Sequence, residues 1–165
     1  MKQRTNKRYL IASMSVLLFV AGCVGNVTAP QQLSNGAMSA DLNPGNFSFS
    51  SLGALASDFS GGYQIAATED QAGAPRDVIT VTVPSQATLP YTVATPDDAL
   101  VEVTYNDAET NIPYYASSTT TGSSCVVTIT QLTPTIQGTF TATLKAQGTS
   151  DNTRILTNGI FNAKH

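Results

Sequence analysis

The 165-residue chain has no tryptophan, a single histidine, two cysteines and eight basic residues. Each shortage removes a class of function. The histidine is terminal His165, which leaves no imidazole for a Ser-His-Asp triad, for activating a cysteine nucleophile or for a histidine-rich metal site. Lys2, Arg4, Lys7 and Arg8 are half of the basic residues and all eleven acids follow Cys23, so the part beyond residue 22 counts four basic against eleven acidic side chains, a formal charge of −7. A surface of that sign repels phosphate backbones and argues against nucleic acid as a partner. No G-x-S-x-G, H-E-x-x-H, Walker or G-x-G-x-x-G motif occurs, and Gly61-Gly62 runs into a strand pattern, as a turn does. Neither an enzyme nor a cofactor is expected.

The long apolar run is at the beginning. A basic stretch from Met1 to Tyr9 precedes LIASMSVLLFV, Leu10 to Val20, in the order of a secretory signal. Even extended to Val24 the run reaches only ~22 Å as a helix at ~1.5 Å per residue, short of the ~30 Å hydrocarbon core. It ends in Val20-Ala21-Gly22-Cys23, which resembles the lipobox of bacterial lipoproteins, with valine where the family most often has leucine. The resemblance implies diacylglyceryl transfer to the Cys23 sulfur, cleavage after Gly22 and acylation of the new terminus, with palmitate as a typical chain. Two or three acyl chains hold a protein stably, because each buried CH₂ contributes ~0.8 kcal/mol. Val24 follows the cysteine instead of aspartate, which in this family points to the outer membrane where the host has one. The lack of an acidic cluster after Cys23 favours its periplasmic face over the cell surface.

With Cys23 lipidated, only Cys125 remains, and no intramolecular disulfide can form. Cys125 shares an alternate face with Val127 and Ile129 and reads as a small buried hydrophobe.

Residues 23–46, rich in Gly, Asn, Gln, Ser, Ala and Pro, read as a flexible tether of about 24–29 Å, with at most a helical turn between Asn35 and Ala40. From Phe47 to His165 apolar residues alternate with Thr and Ser at period two. Strands are expected at Tyr63–Ala67, Val78–Val83, Ala99–Tyr105, Cys125–Leu132, Ile136–Ala146 and Arg154–Asn162. The last two form an antiparallel hairpin with core sets Ile136, Gly138, Phe140, Ala142, Leu144 and Ile155, Thr157, Gly159, Phe161. Glycines inside core sets mark bulges or the close approach of a ring, and Phe140 and Phe161 are expected beside them. The whole is an all-β domain, an antiparallel sandwich or small barrel. TIQGTFTATL followed by ILTNGIF also resembles the end of small uncharacterised β domains of bacterial lipoproteins, a family that implies no activity.

Few side chains offer chemistry. Asp97-Asp98 and Asp107 with Glu109 could pair as glycosidase carboxylates or hold Ca²⁺, but all lie between strands, where acids form solvated turns; no metal is expected. Tyr91, Tyr114 and Tyr115 are the candidate ligand-binding residues, because exposed rings stack on sugars and anchor interfaces. Ser117–Ser124 reads as a flexible loop or a polar strand edge rather than as a site for a catalytic serine. The expected protein is a membrane-anchored, non-catalytic envelope domain that binds an envelope protein or a glycan or has a structural role, with a glycan-binding module as the alternative and a carboxylate-dependent hydrolase behind both.

Overall fold

A computed structural model describes residues 33–44, 47–70, 76–147 and 152–165. The expected signal segment 1–22, the expected lipidation site Cys23 and residues 24–32 of the expected tether lie outside the described residues. The described chain is all β, in eleven strands: β1 (Ala37–Asn43), β2 (Phe47–Ser51), β3 (Leu55–Phe59), β4 (Gly62–Thr68), β5 (Val78–Pro84), β6 (Tyr91–Ala94), β7 (Glu102–Asp107), β8 (Ile112–Ser117), β9 (Ser124–Gln131), β10 (Thr135–Ala146) and β11 (Thr153–Lys164).

The strands pair as two layers, β2-β1-β11-β10-β9-β6 and β3-β4-β5-β7-β8, joined at two corners. At one corner Lys164 of β11 pairs in parallel with Leu55 of β3. At the other, Lys145 and Ala146 of β10 pair with Tyr115 and Tyr114 of β8. The long strands β10 and β11 thus belong to both layers, and the fold is a sandwich closed at its corners like a barrel. Pairing at the corners, one residue pair at the first and two at the second, is one way a β protein limits exposed edges.

One apolar core fills the space between the layers. Ile65, Ile79, Val81, Val83 and Val103 supply it from the second layer, and Met38, Leu42, Phe49, Val127, Ile129, Ile136, Leu144 and Leu156 from the first. The alternation of β5 and β10 places their apolar sets inward as the sequence predicts. Cys125 is buried at 2% exposure, and its thiol contacts the Ala116 carbonyl at 3.5 Å.

Two expectations are corrected. The folded domain begins before Phe47, because β1 lies between β2 and β11 within the stretch read as tether. In Ala-Met-Ser-Ala-Asp-Leu-Asn, alanines stand in for larger apolar residues, which weakens the alternation in sequence, yet Met38, Ala40 and Leu42 are buried. The Asn35–Ala40 segment is a turn running into that strand, not a helical turn. The face assigned to the last strand is also wrong before its midpoint. Asn158 adopts φ 52° and forms a bulge against both neighbours, so Leu156 is buried and Ile155 is 42% exposed, whereas Gly159, Phe161 and Ala163 point inward beyond it. The Asn158 amide donates to the Asp41 carboxylate at 2.8 Å and ties the bulge to β1.

The hairpin glycines meet the expected rings crosswise. Gly138 pairs with Phe161 and Gly159 with Phe140; a Cβ on either glycine would lie 2.6 Å or 2.7 Å from a ring atom. The two rings pack with centroids 6.2 Å apart.

Candidate functional site

The three candidate tyrosines have different places in this framework. Tyr91, on β6, is 7% exposed and donates its hydroxyl to the Pro84 carbonyl at 2.8 Å; burial, with Tyr63 nearby, pushes its pKa up to about 12. Tyr114 is completely buried, with its ring 5.9 Å from that of Tyr105 and the Arg154 guanidinium 5.0 Å above it. Neither ring offers a face to a ligand, because each points into the core from its strand. Tyr115 points the other way, as adjacent strand residues must, and is half-buried at the surface.

The register gathers polar groups around Tyr115. On the outer face of β7–β8, Glu102 pairs with Ser117, Thr104 with Tyr115, and Asn106 with Pro113, while Lys145 of β10 pairs with Tyr115 from the other side. An open cleft of about 780 Å³ lies there, lined by Glu102, Tyr115, Lys145 and Gln147 together with Ser117 and the Thr119–Gly122 turn, which forms its rim. A second hollow of about 420 Å³, against Thr104, Asn106, Asn111 and Pro113, shares Tyr115. The ring therefore borders two adjoining depressions.

The rim is built by hydroxyl groups and not by apolar packing. The Ser117 hydroxyl bonds with those of Thr119 at 3.1 Å and Thr120 at 3.0 Å, and the Ser123 hydroxyl donates to the Thr120 carbonyl at 2.7 Å. Backbone bonds from Thr120 to Ser117 and from Ser123 to Thr120 close two successive turns, with Gly122 at φ 73°. Of the segment read as a flexible loop or a polar strand edge, Ser117 and Ser124 are the ends of β8 and β9 and the residues between them form a hydrogen-bonded double turn. Lys145 passes beside Gly122 and donates to the Thr153 hydroxyl at 2.6 Å. Burial raises the Glu102 pKa above its ordinary 4.5. One cation, one acid of raised pKa, an amide, several hydroxyls and an aromatic ring are suited to a neutral or zwitterionic polyhydroxylated ligand.

The acidic candidates form turns. Asp98 accepts the Leu100 amide at 2.8 Å, and Asp107 accepts that of Thr110 at 3.0 Å while lying 3.8 Å from the Arg154 guanidinium. Among the described residues no three His, Cys, Asp or Glu side chains gather as a metal site. The sequence reading missed Asp77, which accepts the Tyr105 hydroxyl at 2.5 Å and the Ala108 amide at 3.0 Å. Burial first, then this bond, raises the Tyr105 pKa. Burial, with repulsion from Asp77, also raises that of nearby Glu69. These groups lock the β7–β8 turn against β5. Glu102, Lys145 and Gln147 were missed as a group; the signal available was one acid and one lysine on otherwise Thr-rich outward faces, and only the corner pairing of β8 with β10 brings them together.

No family model, curated protein or solved structure matches the chain.

Proposed function

We propose that this protein is a lipid-anchored component of a bacterial cell envelope whose β domain is a non-catalytic binding module, with its ligand seated in the Tyr115 cleft. The anchor is the Cys23 lipidation that the lipobox resemblance implies, and the outer membrane, periplasmic side, is the favoured address. The observation that carries the binding role is the cleft itself: a preformed, open site with polar groups converging on one accessible aromatic ring. Among the described residues Glu102 is the only carboxylate lining the cleft, whereas glycosidases use two carboxyls across the bond they cut.

A second reading, a glycan-binding module, is favoured by the position of Tyr115 between two hydroxyl- and amide-lined hollows. A sugar ring laid on the tyrosine would have hydroxyl partners on either side.

The test is cross-linking in intact cells expressing the full chain, in parallel with Cys23→Ser and Tyr115→Ala, followed by mass spectrometry of attached molecules. The binding role predicts an envelope molecule captured by the parent chain and lost with Tyr115→Ala. Turnover of an envelope polymer by the purified domain, abolished by Glu102→Gln, would refute the non-catalytic assignment.

A further inference from the structure

Among the described residues, the most exposed large apolar side chains stand where the folded domain begins. Leu52 is 68% exposed and Leu55 60%, and the segment they flank is bonded to the residues that lead into β1. The Gly36 carbonyl accepts the Ala54 amide at 2.7 Å, the Lys164 amide donates to the Ala54 carbonyl at 3.1 Å, and Leu55 pairs with Lys164. A Cβ on Gly36 would lie 2.9 Å from the Lys164 side chain and 3.4 Å from the Leu52 carbonyl. The Asn162 amide holds the Leu33 carbonyl at 2.9 Å, which fixes the point where the chain leaves the domain toward Cys23. Leu52, Leu55 and Lys164 are therefore neighbours of that exit.

Cys23 and Leu33 are ten residue steps apart, and no conformation of those residues spans more than about 36 Å. The lipid attached to Cys23 thus keeps this edge of the domain within reach of the bilayer surface. We propose that Leu52 and Leu55, with Lys164 beside them, form a membrane-contact edge that seats the anchored domain on the lipid in one orientation. The proposal rests on the anchor at Cys23.

The chemistry suits an interfacial contact. Leucines at that depth sink into the boundary between headgroups and acyl chains, and a lysine lays its stem along the apolar surface while its ammonium meets a phosphate. The net charge of −7 opposes broad contact with anionic lipid, and the edge itself carries Asp70, whose carboxylate accepts the Leu52 amide, and Asp58 on β3, so the attraction comes from the leucines and Lys164. Orientation follows from the topology. Leu55 of β3 pairs with Lys164, opposite Thr135 at one end of the β10–β11 hairpin, whereas Tyr115 of β8 pairs with Lys145, opposite Thr153 near the other end, about 30 Å away at ~3.3 Å per residue along β10. Seating the β3 corner on lipid leaves the Tyr115 cleft at the far end of that hairpin.

The absence of tryptophan makes the test direct. Leu52→Trp, Leu55→Trp and, as control, Val126→Trp are each introduced into the full lipidated chain and reconstituted into vesicles of phosphatidylethanolamine and phosphatidylglycerol carrying brominated acyl chains. Val126 is also apolar and exposed, at 44%, but lies on β9, separated from β1 by β11 and β10. The expected result is a blue-shifted emission at positions 52 and 55, quenched at least about threefold more than at 126. Protein that floats with the vesicles but shows equal quenching at all three positions would overturn the contact edge and leave the anchor standing. A blue shift without quenching would mean that a second copy or another protein covers the leucines, which also overturns it. Protein that does not float would remove the anchor, and the edge with it.

Discussion

Adding a single methyl group at Gly138 probes the C-terminal hairpin more sharply than truncating either ring. The new Cβ would lie 2.3 Å from the Thr128 carbonyl oxygen and 2.6 Å from Cζ of Phe161, where ordinary contact is 3.4–4 Å. Relief requires the β9 backbone, the ring, or both to move by about an ångström in a close-packed interior. Overpacking costs about 1–3 kcal/mol, and a backbone obstacle places Gly138→Ala near the upper figure, about 3 kcal/mol. That is a large share of the ~5–15 kcal/mol that holds a domain folded, equivalent to a fall in Tm of roughly 10–15 °C at this size. Gly53→Ala is the matched control, because its Cβ would meet nothing closer than 3.9 Å and the loss of unfolded-state freedom stabilises by about 0.5 kcal/mol. The assay is urea unfolding of the two variants and of Phe161→Leu with and without Gly138→Ala. The ring contact predicts a double variant less damaged than the sum of its parts by about 1 kcal/mol. A Gly138→Ala loss below about 1 kcal/mol, or strict additivity, would refute the crosswise packing.

Adjacent tyrosines are expected to separate stability from binding. Tyr114→Ala should cost about 3–5 kcal/mol through the cavity left in the core, read as a shifted urea midpoint, whereas Tyr115→Ala should cost less than about 1 kcal/mol and abolish ligand capture. Glu102→Gln tests the half-buried carboxyl by pH. An acid whose pKa is raised on folding binds its proton more tightly in the folded state, so its contribution to stability is lost as pH rises from the ordinary 4.5 through the folded value. The glutamine variant should therefore melt higher than the parent at neutral pH, the gap closing as pH falls below 4.5; a gap independent of pH would show that the carboxyl is not the cause. Cys125, buried and with its pKa raised by that burial, should resist alkylation in the native domain and react in urea, and labelling of the folded protein at a free-thiol rate would contradict its placement.

Legibility in the sequence followed the strength of the alternation. Val78-Ile79-Thr80-Val81-Thr82-Val83 and the β10 segment read as strands with the correct faces because β-branched and aromatic residues mark every second position. β3, β6 and β8 were not legible as separate strands: β3 is an exposed five-residue strand, β6 has four residues, and β8 carries Pro113 at its second position. β1 and β2 are spaced by Ala and Ser, whose small side chains fit both a sheet and a tether. The bulge at Asn158 was signalled by Asn-Gly, but its consequence, the exchange of Ile155 for Leu156 in the core, depends on register with two neighbours. The cleft was least legible, since Glu102, Tyr115 and Lys145 come from three strands and meet only where the layers join. Alternation also explains why Tyr115, and not Tyr114, reaches the surface, although sequence alone does not say which of the two faces is inside.

The proposed envelope address rests on lipidation of Cys23. The direct measurement is intact-mass and peptide mass spectrometry of the protein extracted from bacterial envelopes in detergent. The predicted result is a chain whose first residue is Cys23, heavier than its sequence by a diacylglyceryl group, with or without a further acyl chain, and absent in Cys23→Ser. A mature chain that begins elsewhere, or that begins at Cys23 without lipid, would contradict it.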